Sequence, residues 1–374
     1  MRDGNVSFLW KSPEAARNFR TGVCLHGHTM HSQECLDFLP RYLHYIPVVS
    51  QMVRQYQRPG RNGQPAVDFS RAYWTPPLTP ASALHLERKQ IESLGLRPLV
   101  SLTDHDNIEA GLALQVASPR RKTPVSVEWT VPYENSILHF GIHNLPASCD
   151  RAWMKAMAAY TAAPVEARLP EMLRALSALP ETLVVLNHPF WLEEGVEKTA
   201  HPRALERLFR ECIEWIHAFE LNGTRGWKEN AATIALAEAQ ARPVISGGDR
   251  HASEPSACIN LTNAATFAEF AAEIREGYSR PVFLPHYREP MALRILQASW
   301  DILRNYPEYP DRTRWTDRVY YRGEDGTARP LSMVWQNRVP WILTGAAGIV
   351  EIFATTRLRS AIRLLVMNQG EMLP

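Results

Sequence analysis

Seven short apolar runs recur along this chain, and each leads into polar, mostly metal-capable residues: "GVCLHGH" (22–28), "PLVSLTDHD" (98–106), "PVSVEWT" (124–130), "ILHFGIH" (137–143), "LVVLNHP" (183–189), "HAFELNG" (217–223) and "PVISGGDRH" (243–251). Near-continuous hydrophobicity of this kind predicts parallel strands covered on both faces. Helical patterns lie between several of the runs. The clearest is "LTPASALHLERKQIESLG" (78–95), with Thr79 as N-cap, Pro80 in the first turn and Gly95 as stop. Another is "GWKENAATIALAEAQARP" (226–243), closed by Pro243. Strand and helix alternating, with functional groups at strand ends, is the pattern of a β/α barrel whose active site lies at the C-terminal mouth. The number of runs predicts seven strands rather than eight.

Two segments interrupt the rhythm. Residues 35–76 set Arg41, Arg54, Arg58, Arg61 and Arg71 among Tyr42, Tyr45, Tyr56, Tyr73 and Trp74, which suits either a lid over the strand ends or a surface insertion packed by its own aromatics. Residues 286–374 carry the Pro- and charge-rich link "YPEYPDRTRW", then a helical stretch that is apolar first and basic amphipathic afterwards, with Arg357, Arg359 and Arg363. That extension is expected to dock against the barrel or a second subunit, giving a homo-oligomer, with a membrane surface as the alternative.

The formal net charge of +2, from 41 basic and 39 acidic residues, excludes bulk nucleic-acid binding driven by charge alone. Cys24, Cys35, Cys149, Cys212 and Cys258 form no C-x-x-C pair and are odd in number, which fits a reducing compartment rather than a disulfide framework. The N-terminal stretch lacks a long apolar region, and no run of 18 apolar residues follows. A cytoplasmic protein without transmembrane segments is expected.

The chemistry-bearing residues sit at the ends of the runs. His26 and His28, at i and i+2, share one face of a strand. In "TDHDN", His105 is the better metal ligand, while Asp106 can cap a helix and Asp104 can orient an imidazole. Glu128 and His139 fall on neighbouring runs. His188 in "NHP" and the D-x-H pair Asp249 and His251 repeat the arrangement. Imidazole mixed with carboxylate suits zinc, manganese or iron, and a carboxylate such as Glu128 can bridge two cations.

Taken in order, "HGHT", "LTDHD", the Glu128 and His139 pair, "NHP" and "GGDRH" resemble the motifs of the polymerase and histidinol phosphatase (PHP) family of metal-dependent phosphoesterases, over roughly residues 22–285. The resemblance implies a distorted seven-stranded β/α barrel over residues 1–285, with 35–76 inserted, and leaves 286–374 as a helical extension of unknown role. It implies two or three divalent cations at the mouth. His26, His28, Glu128 and Asp249 would hold the first, Glu128, His139 and His188 the second, and His105 and His251 would contribute to the third. Where the family has an Asp or His shortly after the first motif, this chain has "HSQECLD". Gln33 occupies the usual Asp position, so Glu34 is the preferred third-site ligand, with His31 as the alternative. Cys24 and Gly248 are further departures, standing where the family often has Asp and Ser.

The expected activity is hydrolysis of a small phosphate ester, such as a nucleotide, by a hydroxide shared between two cations, with Asp249 or His251 as candidates for moving the proton. Arg225, Lys228 and Arg250 are the candidates for holding phosphate, although Arg250 lies between two inward-facing residues and can point away. His143 is read as structural, and His44, His85, His201, His217 and His286 have no comparable support. Two alternatives stand beside this reading: a metal hydrolase acting on a non-phosphate bond, which a lysine at a strand end would mark, and a non-catalytic PHP scaffold, which lost donors would mark.

Overall fold

The computed structural model describes residues 6–36, 71–118, 123–193, 195–336, 339 and 341–354. In chain order the strands are β1 (Ser7–Phe8), β2 (Thr21–Cys24), β3 (Glu34–Cys35), β4 (Ala72–Trp74), β5 (Arg97–Val100), β6 (Val127–Tyr133) and β7 (Ser136–His143). They continue as β8 (Leu183–Asn187), β9 (Ala218–Asn222), β10 (Val244–Gly247), β11 (Cys258–Thr262), β12 (Pro281–Phe283), β13 (Val319–Arg322) and β14 (Ala328–Pro330). The helices used below are α1 (Pro80–Glu92), α2 (Glu109–Ala117), α3 (Asp150–Ala162), α4 (Leu169–Ser177), α5 (Ala200–Cys212), α6 (Trp227–Ala239), α7 (Phe267–Arg275), α8 (Met291–Leu303) and α9 (Trp341–Ala354). Of the described residues, 6–32 and 78–289 form one compact unit; 33–36, 71–77 and those from 290 onward form another.

In the first unit the strands make two five-stranded sheets, ordered β1-β12-β11-β2-β5 and β10-β9-β8-β7-β6. The sheets meet at two isolated parallel bridges, Gly27 with Arg250 and His105 with Glu128. The expected seven-stranded barrel is therefore not closed by continuous ladders among the described residues. The ladders of β2, β5 and β10 stop at Cys24, Val100 and Gly247. Beyond β5, β8 and β10 the chain leaves strand geometry to aim its polar side chains, with Asp106, His188 and Asp249 at positive φ of 48°, 26° and 51°.

The expectation of all-parallel pairing also needs correction. Neighbours β2 and β5, β8 and β9, and β9 and β10 are parallel, but β7 runs antiparallel to both β6 and β8. The cause is local: Glu134 and Asn135 both take positive φ, 51° and 57°, and turn β6 into β7 as a two-residue hairpin.

Helix α1 starts as its sequence dictates, Thr79 accepting a hydrogen bond from the Ser82 N–H and Pro80 filling the first turn. Gly95, at φ 77°, takes the left-handed conformation just beyond its end. Helix α5 buries Ala204, Leu205, Leu208, Phe209 and Cys212, one stripe at helical spacing, against the core that holds Trp129, Phe140 and Phe219. Each such large apolar side chain contributes about 1.5–3 kcal/mol by leaving water. Helix α6 ends at Ala239, ahead of Pro243.

The second unit contains the four-stranded sheet β14-β13-β4-β3. Strand β4 pairs antiparallel with β13, so the end of the insertion and the C-terminal segment build one sheet, and the extension is not purely helical. Its core gathers Leu36, Ala72, Trp74 and Val319. Buried Arg318 donates to the carbonyls of Ile302, Arg304, Arg312 and Thr313, which satisfies the open C-terminal end of α8. The basic stretch with Arg357, Arg359 and Arg363, and Arg41 to Arg61 of the insertion, lie outside the described residues. Among the described residues no helix is long and apolar enough to cross a membrane.

Candidate metal centre

The end of β2 delivers His26 and His28, both buried, and the turn after them is pinned by Asp104. The Asp104 carboxylate accepts from the Thr29 N–H at 2.5 Å and from the Thr29 hydroxyl at 2.7 Å. Asp104 thus pins the "HGHT" turn. Asp106 does not cap α2; its carboxylate accepts from the Thr130 N–H at 2.9 Å, which ties the "TDHD" turn to β6. Ser32 Oγ lies 3.3 Å from His28 Nδ1 and accepts from the His105 N–H at 3.1 Å.

Glu128, second residue of β6, is the hub. Its Oε2 lies 2.8 Å from His26 Nε2 and 3.4 Å from both His28 Nε2 and His105 Nε2. Its Oε1 lies 2.9 Å from His188 Nε2 and accepts from the Asn187 amide at 3.0 Å. Asp249 faces the same donors, with Oδ1 3.3 Å from His28 Nε2 and 3.6 Å from His26 Nε2. Its Oδ2 accepts from Thr224 at 2.8 Å and Asn222 at 3.1 Å.

Within the first unit three groups of donor atoms lie within 4.8 Å of one another: His26, His28 and Asp249; Glu128, His139 and His188; and His28, His105 and Glu128. The chemistry of the set fits divalent cations. His26 Nε2 and His28 Nε2 point at each other across 3.0 Å with two carboxylates beside them, a density of lone pairs that a shared cation satisfies better than protons do. His105 joins His28 and Glu128 here, a grouping the motif reading did not anticipate. His251 stacks on His28 at 4.3 Å, and its Nδ1 lies 3.0 Å from the Asp249 carbonyl oxygen.

The electrostatics reflect the same crowding of carboxylates and imidazoles. Burial opposes ionisation of Glu128, but His26, His105 and His188 overcome it and hold the carboxyl well below its usual range. Asp249 behaves likewise, its burial outweighed by His26, His251, His28 and Arg225. Burial also works against protonating His26, yet Glu128, Glu220 and Asp249 hold its pKa well above the ordinary imidazole value. Burial takes His139 down to about 4, so this ring stays neutral and able to ligate near neutral pH.

The remaining candidates are placed as follows. Arg225 stacks over the Trp191 ring at 3.7 Å, with a guanidinium nitrogen 3.9 Å from Asp249 Oδ2. Lys228 is exposed on α6. Arg250 is buried and ion-paired to Glu87 of α1 at 2.5 Å, so its charge is committed there and does not face the donors. Glu34 lies on β3, paired in register with Trp74, and the Gln33 side-chain oxygen accepts from Arg322 at 3.2 Å. The His31 N–H donates to Thr29 Oγ1. His143 packs inside against Ser101, 2.9 Å away, and burial lowers it to about 3.

Residues not anticipated from sequence include Asn187, Asn222, Trp191, whose indole N–H donates to Glu193 at 2.7 Å, and Glu220. Glu220 had a readable signal: it is a carboxylate inside "HAFELNG", an otherwise apolar run that becomes a fully buried strand.

No family model matches the chain, and no curated protein matches it. Solved structures similar to it include PsfC from Pseudomonas syringae, 15% identical over 76% of this chain and 98% of that one, with a TM-score of 0.37. An amidohydrolase from Chromobacterium violaceum, with bound sulfate and no metal, is 16% identical over 63% and 89%, with a TM-score of 0.35. A two-domain protein from Bacteroides vulgatus containing a predicted PHP-like metal-dependent phosphoesterase is 13% identical over 55% and 60%, with a TM-score of 0.36.

Proposed function

We propose that this protein is a metal-dependent phosphoesterase acting on a small phosphate ester, of which a nucleotide is one candidate. The observation that carries the reading is the position of Glu128, whose two oxygens face imidazoles of two donor groups, His26 on one side and His188 on the other. His26, His28, Glu128 and Asp249 are the residues for one cation and Glu128, His139 and His188 for a second. His105 and His251 are left for a third, with Glu34 as the sequence candidate to complete it. When bound, such cations supply Lewis acidity that makes a water nucleophilic near neutral pH and neutralises phosphoryl charge; zinc, manganese and iron all suit these donors.

The chain's own residues supply orientation. Arg225, held flat by Trp191 beside Asp249, offers a planar fork matched to phosphoryl oxygens. Lys228 adds positive charge in the first turn of α6. Arg250 is not retained as a phosphate contact, because Glu87 already neutralises it. His251, whose Nδ1 faces the Asp249 carbonyl oxygen, is the candidate for ligating a third cation or for handing a proton to the leaving alkoxide. Asp249 aligns this ring and ligates. None of the seven apolar runs of the sequence carries a lysine, which favours the phosphate reading over a lysine-bridged amide hydrolase.

Carried over from sequence, the protein is proposed to work in the cytoplasm and to use its C-terminal segment for self-association. The experiment for the reaction class is a parallel screen of the zinc- and manganese-loaded protein on phosphate monoesters, amides and lactones. Turnover of esters of phosphate alone is expected; turnover of amides or lactones alone would replace this reading.

A further inference from the structure

Glu220 is fully enclosed on β9, yet among the described residues its carboxylate meets no lysine or arginine. Oε1 lies 2.5 Å from His26 Nδ1. Oε2 accepts from the backbone N–H of His188 at 3.0 Å and from the Asn222 amide at 3.2 Å. A carboxylate only accepts, so His26 must carry its proton on Nδ1 and turn Nε2 toward Glu128 and Asp249. The His188 N–H belongs to a residue at φ 26°, a sparsely populated conformation that needs outside support. Glu220 gives that support.

The neighbouring sequence makes room for the side chain. A methyl group on Gly247 would overlap the Glu220 carboxylate and press on His26 Cβ, so glycine at 247 is what lets β9 and β10 pack with a glutamate between them. Asn222, two residues on and on the same face, extends the layer, its amide lying between Glu220 Oε2 and Asp249 Oδ2.

We propose that Glu220 is a positioning residue for the whole centre: one carboxylate fixes the His26 tautomer and the His188 backbone, and so sets a donor in each of two metal groups. The predicted consequence is coupled loss, both metal positions weakening when this one side chain is changed. Partners of this kind beneath a ligand typically govern affinity by about 10- to 100-fold.

Glu220 has this role only if the donor groups hold cations, so zinc binding is measured first on the wild-type protein by competition with a chromophoric chelator. Glu220→Gln keeps the size and an acceptor but removes the charge; Leu221→Ala, a buried change on the opposite face of β9, controls for loss of packing. The expected result is a folded Glu220→Gln variant whose two tightest zinc equivalents both weaken by about 10-fold or more, with normal binding by Leu221→Ala. Nitrogen-15 shifts of the His26 ring in the zinc-loaded proteins should show Nδ1 protonated and Nε2 unprotonated in the wild type, and loss of that single pattern in the variant. Wild-type zinc affinity and an unchanged His26 tautomer in Glu220→Gln would overturn the inference while leaving the metal centre standing; absence of zinc binding by the wild type would remove the centre itself and this role with it.

Discussion

The Oε1 atom of Glu128 lies 2.9 Å from Nε2 of His188, and the other oxygen of the same carboxylate reaches His26 at 2.8 Å. A single charge thereby serves two groups of donors. Glu128→Gln should keep the fold but lose the shared anion. We expect kcat to fall by about 10³-fold or more, several kcal/mol of charge stabilisation, with metal content reduced at both positions. Phosphate release and elemental analysis check this, and a variant retaining full metal and rate would refute the shared role.

Arg225 lies flat on the Trp191 ring, with carboxylate oxygens of Asp249 and Glu229 at 3.9 and 4.0 Å. Arg225→Lys should raise KM roughly tenfold with a smaller change in kcat, because a point charge cannot reproduce two parallel hydrogen bonds. Trp191→Ala should act in the same direction by about 0.5–2 kcal/mol, through loss of the stacking surface. Initial-rate kinetics on the preferred ester separate these effects; unchanged KM in both variants would place substrate elsewhere.

Glu87 and Arg250 are buried together under the "GGDRH" turn, with Ser256 also donating to Glu87. Arg250→Met alone should cost about 3–5 kcal/mol by stranding a buried carboxylate. The double variant Glu87→Met, Arg250→Met should recover much of that loss. Urea unfolding of the metal-free proteins measures both, and a single variant as stable as wild type would show that the pair is solvated.

His217 is pushed down to about 3 by burial, with Arg275 and Arg242 adding to the effect, while its Nδ1 accepts from the Val184 N–H. Its folded pKa is thus depressed from an unfolded value near 6.5. The stability it contributes is complete above that unfolded value and is lost as pH falls toward the folded one, because only the unfolded chain takes up the proton. Between the two pKa values the slope of unfolding free energy against pH should exceed that of His217→Gln by about 1.4 kcal/mol per unit. Chelator-treated samples unfolded in urea at several pH values give both slopes; equal slopes would contradict the assignment.

Much of the centre was legible because strand chemistry repeats: an apolar run supplies the strand, and the polar residue at its end must face something. His26, His28, Glu128, His139, His188 and Asp249 could be read that way, and the structure brings them together. Arg250 shows the limit of spacing alone, since alternation turns its side chain into the layer between β10 and α1, where only the fold reveals Glu87. Glu220 was missed because a lone carboxylate in a strand ordinarily reads as an edge residue. The hairpin of β6 and β7 was written in Glu134 and Asn135, but the absence of glycine there hid it among runs that resemble parallel strands. The joining of β4 to β13 spans over two hundred residues of chain, beyond any local pattern.

The measurement that bears most directly on the account is phosphate release by zinc- or manganese-loaded protein across sugar phosphates, nucleotides, nucleoside bisphosphates and short oligonucleotides, with chelated protein and Asp249→Asn alongside. Release confined to one class of small ester, abolished by chelation and by Asp249→Asn, is the predicted result. A metal-replete wild-type protein that releases phosphate from none of them, or an Asp249→Asn variant that matches it, would contradict the account.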